Sequence, residues 1–300
     1  MIKAIVKPVY NAMHDLLYAT SGINPFFKHT HNNKPVVKGF VGDDHLADPT
    51  LDDVLEKQLL HANIPVSHFH ININGYKDYL QKANYPSDYY GGQPGQNNFT
   101  EKTLEHFVGT CFIPFTRDMV FMDVAACTSP FSSIAQKVFG VQKVYQQDLI
   151  YPKGINGNKI GGYAHETTLP SNSVDAITLH CSLEHFEGDT DKLFFAEVNR
   201  ILKTGGKAVI LPFYFAHTYT IHIDPAFNLL RNHHPIIDAE ADLHYCNWYQ
   251  YHSRHYDVMQ VQKRIASQMP DCSIKLFRVD NFREVWDKSY LRWILEITKN

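Results

Sequence analysis

Between residues 119 and 213, short apolar runs alternate with stretches whose apolar residues recur every three or four positions, the two periods that separate strands from amphipathic helices. The pattern predicts strands at 119–124, 143–147, 174–180 and 207–213, with helices at 130–139 and 192–202. The second helix stops at Lys203-Thr204-Gly205-Gly206, where paired glycines end the helical period. Strands interleaved with helices call for a parallel sheet wound on both faces, with ligands at the carboxyl ends of the strands. Towards the carboxyl terminus the alternation changes: 273–279 and 291–298 read as strands separated by a short helix at 282–288. Between the two parts, 214–270 forms an insertion rich in His and Tyr that ends in a helix at 256–268.

Upstream, residues 84–98 concentrate Pro, Gly, Asn and Ser, the composition of a loop, and mark a seam. The organisation expected is an extension or lid region over 1–98 and a main domain over 99–300, with 214–270 on its acceptor side. Before the seam, 66–73 alternates like a strand and 52–61 forms an acid-rich helix; after it, Thr100, Glu101 and Glu105 open a helix through about Phe107. Ile5, Val9, Met13 and Leu16 recur at helical spacing, which suits a helix docked on its own protein or one lying on a membrane surface.

The chain has 300 residues, 28 basic against 31 acidic, and a net charge of −3. That balance, with no lysine or arginine block, argues against a nucleic-acid partner, whose phosphates require clustered positive charge. The strongest apolar run, 208–216, is far short of the roughly 20 residues that cross a bilayer, so no transmembrane segment is expected. Lys3, Lys7 and Asp15 interrupt the amino-terminal apolar stretch, which argues against a secretory signal. The five cysteines are widely spaced and never form CxxC, indicating a reducing, cytoplasmic setting without a disulfide framework. His68 with His70, and His252 with His255, share putative faces but lack a third ligand in a recognisable spacing, so no metal centre is expected.

Four blocks in order carry a family resemblance: Phe121-Met122-Asp123-Val124; Asp148, at the end of the second strand; the run Leu169 to Ile177, leading to Leu183-Glu184-His185; and the run Glu197 to Gly206. Together they resemble class I S-adenosylmethionine-dependent methyltransferases of the small-molecule type over about residues 100–215, with a looser likeness in the last two strands. The resemblance implies an α/β fold: a doubly wound, Rossmann-like, mostly parallel seven-stranded sheet with an antiparallel last strand. It implies S-adenosyl-L-methionine as cofactor and a small-molecule or glycan acceptor.

The glycine loop after the first strand is degenerate, with Ala125, Cys127 and Ser129 where the family alternates glycines. All are small, so close approach survives, but a positive backbone dihedral there would be strained. Ser129 and Pro130 suit the start of the following helix. By resemblance, Asp123, Ala125, Ala126 and Cys127 surround the cofactor, and Asp148, twenty-five residues after Asp123 and followed by Leu149, takes the ribose hydroxyls. His165 or Glu166 meets the adenine, and His180 and Cys181 line the pocket, Cys181 as a small hydrophobe and not a nucleophile.

A hydroxyl acceptor must lose a proton during methyl transfer, so a base should face it. His185, supported by Glu184, is the leading candidate, its rival role being to fasten the loop. The reading is therefore O-methylation of a sugar, glycan or related hydroxylated metabolite. The alternatives are a methyltransferase-like binding subunit without catalysis, suggested by the missing glycines, and a nucleotide-sugar-modifying oxidoreductase, which would normally carry GxGxxG.

Overall fold

The computed structural model describes residues 37–40, 50–95 and 98–300; the amino-terminal helix expected from Ile5 to Leu16 lies outside them. By internal packing the chain divides into two compact units. The larger comprises Glu56–Leu183, Lys192–Phe213 and Gln262–Asn300; the smaller takes in Glu184–Asp191, Tyr214–Val261 and the described residues up to Leu55.

The larger unit is built on an eight-stranded sheet. Its strands in chain order are β2 (Val66–Phe69), β3 (Val120–Val124), β4 (Lys143–Asn156), β5 (Lys159–Gly161), β6 (Val174–His180), β7 (Leu202–Leu211), β11 (Cys272–Val279) and β12 (Trp293–Lys299). Their order in space is β2-β11-β12-β7-β6-β3-β4-β5. Strands β4, β3, β6 and β7 pair in parallel. The last strand, β12, lies antiparallel to both neighbours, with Leu276 opposite Leu295 on one side and Ile297 opposite Ala208 on the other. Central parallel strands are covered on both faces, and β6 shows it: Val174, Ala176, Ile177, Thr178 and Leu179 are all buried.

The sheet has one strand more than the seven expected. Val66–Phe69 runs parallel to β11, Val66 opposite Leu276, so the described residues between 56 and 98 share the compact unit of the sheet. Alternation marks 66–69 as a strand, but no local signal names a partner so distant in sequence. Strand β4 also runs past the expected residue 147: Gln147 pairs with Ile160 in the parallel sense, and the chain then folds back so that Ile155 meets the same Ile160 from the other side. Gly161 is required at this crossing, because a Cβ there would stand 2.1 Å from the carbonyl oxygen of Pro152.

Helices α3 (Phe99–Phe112) and α4 (Phe131–Phe139) pack on the sheet, after α1 (Leu51–His61) and α2 (Ile73–Ala83) earlier in the chain. Leu104 and Val108 of α3, Phe131 of α4, Phe121, Leu211 and Ile294 join one core cluster, each contributing about 1.5–3 kcal/mol by burial. Helix α3 extends beyond the expected 107 because it is covered on nearly every face, so its carboxyl-terminal Phe112 also enters the core. Helix α5 (Thr190–Ile201) matches the expected 192–202 closely.

The smaller unit has a four-stranded sheet in the order β1-β9-β8-β10, from Val37–Phe40, Asp242–Tyr245, Thr220–Ile223 and Ser253–His255 respectively. Part of the insertion is therefore a sheet with its own core of Ile221, Ile223, Leu243 and Tyr245. Helix α6 (Pro225–Leu230) starts after Asp224, whose carboxylate accepts the Phe227 N–H at 3.0 Å, with Pro225 in its first turn. The helix expected at 256–268 is a composite: an α turn at Val258–Gln260, a π segment at Val261–Ile265 and a 3-10 turn at Ala266–Gln268. The one expected at 282–288 shortens to α7 (Phe282–Val285).

Arg254, fully buried on β10, ties the smaller unit together. Its guanidinium lies 3.0 Å from Asp191 and 3.1 Å from Asp238, donates to the Tyr219 hydroxyl at 2.8 Å, and reaches the carbonyls of Phe186 and Gly188. Tyr256 donates to the same Asp191 at 2.8 Å. Arg254→Leu would leave Asp191 charged and buried, so a loss of about 3–5 kcal/mol is expected on urea unfolding; a loss under about 1 kcal/mol would show the node to be dispensable.

Candidate active site

After Val124 the chain turns through Ala125, Ala126 and Cys127, and both Ala125 (φ 52°) and Cys127 (φ 44°) are left-handed. These are two of the positions where the resemblance expects glycine. L-residues enter this region at a cost of about 1–2 kcal/mol each, whereas glycine enters freely. The loop keeps the glycine path without the glycines, and the end of β4 holds it there. The Ala125 N–H donates to the Gln147 side-chain oxygen at 3.3 Å, the Ala126 N–H to the Gln147 carbonyl at 3.0 Å, and the Cys127 N–H to Asp148 Oδ2 at 2.7 Å. Gln147 is itself anchored through its amide nitrogen to the Gly162 carbonyl at 2.6 Å, and the Tyr151 hydroxyl donates to the Cys127 carbonyl.

The second Asp148 oxygen accepts the Ile150 N–H at 3.0 Å. A carboxylate offers about four lone-pair sites, so each oxygen retains capacity for a ribose hydroxyl. Small side chains along a strained turn, beside a carboxylate with spare acceptors, form a donor set that fits a cofactor with a ribosyl group. Downstream, His165 stacks on Tyr163 with centroids 5.3 Å apart and stands 3.9 Å from the Glu166 carboxylate. Leu149 and Glu166 are exposed.

Asp123 points inward. Thr178 donates to it at 3.1 Å and Ser132 at 3.4 Å, and His180 Nδ1 lies 3.5 Å away, so one buried carboxylate links β3, β6 and α4. The His180 ring packs against Phe131 and His106, and its Nε2 faces α3, where a Cβ added to Gly109 would come within 3.0 Å. Cys181 follows in a left-handed conformation, φ 44°, with its N–H donated to the Leu211 carbonyl.

His106 has no sequence signature beyond its place on a helix. It meets Tyr85 through Nδ1 at 2.8 Å and Ser129 through Nε2 at 3.2 Å, and burial holds its pKa well below the usual 6.5, so the ring is neutral. Ser129 also accepts the Phe131 N–H at 3.2 Å, the helix-start role expected for it. Gln147, Tyr151, Ser132 and Thr178 likewise escaped sequence reasoning, because only tertiary pairing brings them to the loop and to Asp123. Of the expected histidine pairs, His68 bonds Asp280 and Glu56, and His70 meets Asn281.

Glu184 and His185 belong to the smaller unit. Glu184 is buried and His185 half-exposed, with His185 Nε2 3.5 Å from Glu184 Oε1 and His185 Nδ1 2.6 Å from the carbonyl oxygen of His252.

The profile of the family described as Methyltransferase domain matches residues 122–210, from β3 to the end of β7. Similar solved structures include the YcgJ protein from Bacillus subtilis, at 14% identity over 65% of this chain and 98% of that chain, TM-score 0.41. An S-adenosylmethionine-dependent methyltransferase from Mesorhizobium loti has 13% identity over 64% and 96%, TM-score 0.43. The 1,6-didemethyltoxoflavin-N1-methyltransferase of Burkholderia thailandensis has 13% identity over 79% and 93%, TM-score 0.45. Comparison with curated protein sequences gives no match. Over residues 122–210, then, this chain matches a methyltransferase domain. That match supports an S-adenosylmethionine-dependent methyltransferase activity, with S-adenosyl-L-methionine as cofactor.

Two outcomes follow from the site. Ala125→Gly removes a strain of about 1–2 kcal/mol while adding about 0.4–1 kcal/mol of unfolded-chain freedom, so a net gain between zero and about 1.6 kcal/mol in urea unfolding is expected. A clear loss would contradict the left-handed turn. The other outcome concerns Glu101 on α3, fully buried, with Oε1 accepting the Tyr290 N–H at 3.2 Å. Burial first, and the neighbouring Glu105 second, push its pKa from 4.5 up to about 8. The folded protein therefore keeps a proton that the unfolded chain releases, and stability falls as pH rises through this window, by roughly 1.4 kcal/mol per unit at most. Neutral His106 acts in the opposite sense, but only below its unfolded value of 6.5. Between pH 6.5 and 8, Glu101→Gln should flatten the decline; an unchanged slope would remove Glu101 as its source.

Proposed function

We propose that the protein methylates a hydroxyl of a sugar, glycan or related hydroxylated small molecule, with His185 as general base. The observation that carries this reading is the environment of the His185 ring. Its Nδ1 faces a backbone carbonyl at 2.6 Å, which can only accept, so the neutral ring bears its hydrogen there and keeps a lone pair on Nε2. Glu184 Oε1, 3.5 Å from Nε2, is in place to stabilise the imidazolium formed when that lone pair takes a proton. A hydroxyl acceptor needs such a base.

S-adenosylmethionine supplies a methyl group on a sulfonium centre. The chain's own work is to bind and align: Gln147 and Asp148 keep the 125–127 turn in its left-handed path, and Asp148 takes the ribose hydroxyls with its remaining lone pairs. His165 or Glu166 meets the adenine, and His180 and Cys181 line the pocket. Five free cysteines favour a reducing, cytoplasmic setting.

The test is methyl transfer to a panel of hydroxylated acceptors, read by mass spectrometry, with calorimetry for the cofactor. His185→Ala should lower turnover roughly 100- to 10,000-fold at unchanged S-adenosylmethionine affinity. Asp148→Ala should weaken that affinity by about 1.5–3 kcal/mol. Near-normal transfer by the first variant would return His185 to a fastening role, and unchanged binding by the second would remove Asp148 from the cofactor site.

A further inference from the structure

We propose that His252 is the positioning residue that fixes the tautomer and orientation of His185. The inference rests on the reading of His185 as the base. His185 and His252 hold each other's backbone: His185 Nδ1 donates to the His252 carbonyl at 2.6 Å, and His252 Nδ1 donates to the carbonyl of Glu184, the residue just before His185, at 3.0 Å. Two imidazoles and two carbonyls thus clasp the Glu184-His185 segment to the residue that leads into β10.

The two partners are unequal. The His252 ring is fully buried, whereas 42% of the His185 side chain is exposed. Burial, and next the positive charge of Arg254, hold the His252 pKa well below its usual value, with His185 and His222 adding in the same sense against the Glu184 carbonyl. His252 is therefore neutral and has one ring hydrogen, which its Nδ1 commits to Glu184. That bond holds the 184–185 backbone where the His185 ring reaches the His252 carbonyl. The carbonyl in turn requires hydrogen on His185 Nδ1, leaving Nε2 as the basic atom. An exposed imidazole without such a partner rotates and carries its hydrogen mainly on Nε2, the form that cannot accept a proton there. His252 touches no reacting atom in this scheme; it acts through His185.

The test combines nitrogen NMR with kinetics on the full chain. Long-range nitrogen–proton correlations on histidine-labelled protein, at a pH where the rings are neutral, should show His185 and His252 both with hydrogen on Nδ1. His252→Leu, which cannot donate to Glu184, should move His185 towards the Nε2–H form and lower turnover roughly 10- to 100-fold, the scale for partners that orient a functional histidine. Its affinity for S-adenosylmethionine should not change. His252→Asn, whose side-chain amide can donate to the same carbonyl, should recover most of the rate and the native tautomer. Hydrogen on Nε2 of His185 in the unaltered protein would overturn the proposal, as would a folded His252→Leu variant with native tautomer and rate. Should the leucine variant fail to fold, the spectrum of the unaltered protein and the asparagine variant still decide. Normal turnover by His185→Ala would refute the base assignment alone, since the tautomer of His185 reports on the clasp independently of activity.

Discussion

Ala125 and Cys127 sit in a backbone region that each would leave at a gain of about 1–2 kcal/mol, and they stay because β4 holds their amides. A hydrogen bond to a charged group contributes about 1.5–3 kcal/mol and one between neutral groups about 0.5–1.5, so the Asp148 bond to Cys127 can offset the strain at one position and Gln147 much of that at the other. The shape of the turn after β3 thus depends on two side chains from the neighbouring strand, where a glycine loop would adopt it unaided. Under the proposed cofactor role, removal of Asp148 would loosen the turn as well as strip ribose acceptors, and any affinity lost on its mutation would contain both contributions.

Helix α3 shows a related compromise. A helix covered on nearly all faces could be stabilised by apolar residues alone, yet Glu101, Glu105 and His106 are all buried on it. Each is given partners: the Tyr290 N–H for Glu101, Lys102 at 2.9 Å for Glu105, and Tyr85 with Ser129 for His106. Buried polar groups of this kind contribute little net stability even when satisfied. Departures from local rules concentrate where a fold carries its chemistry, and His106 stands one ring from His180 and one hydroxyl from the start of α4.

The central strands could be read from the sequence because strands buried on both faces are near-continuous apolar runs, and the closing antiparallel pair because both members alternate. Motif order locates Asp123, the 125–127 turn and Asp148 along the chain, but the conformation of the turn was not legible, since nothing local says that alanine and cysteine will adopt positive φ; Gln147 and Asp148, supplied by the neighbouring strand, hold it there. The small sheet escaped because its strands are three or four residues long, too short for the alternation of Thr220–Ile223 to stand out from a loop. Arg254 with Asp191 and Asp238, like β2 with β11, joins residues far apart in sequence, where periodicity carries no information.

The four residues of β2 determine how the large sheet ends. Without them, the eight-residue β11 would present a long row of unpaired amides and carbonyls, a template on which another copy of the chain could add a strand. With them, the outermost strand on that side is too short to template much, and it carries His68, bonded to Asp280 and Glu56. The segment upstream of the methyltransferase motifs thereby protects the molecule against edge-to-edge self-association, a service independent of catalysis that would constrain Val66–Phe69 even if the acceptor changed.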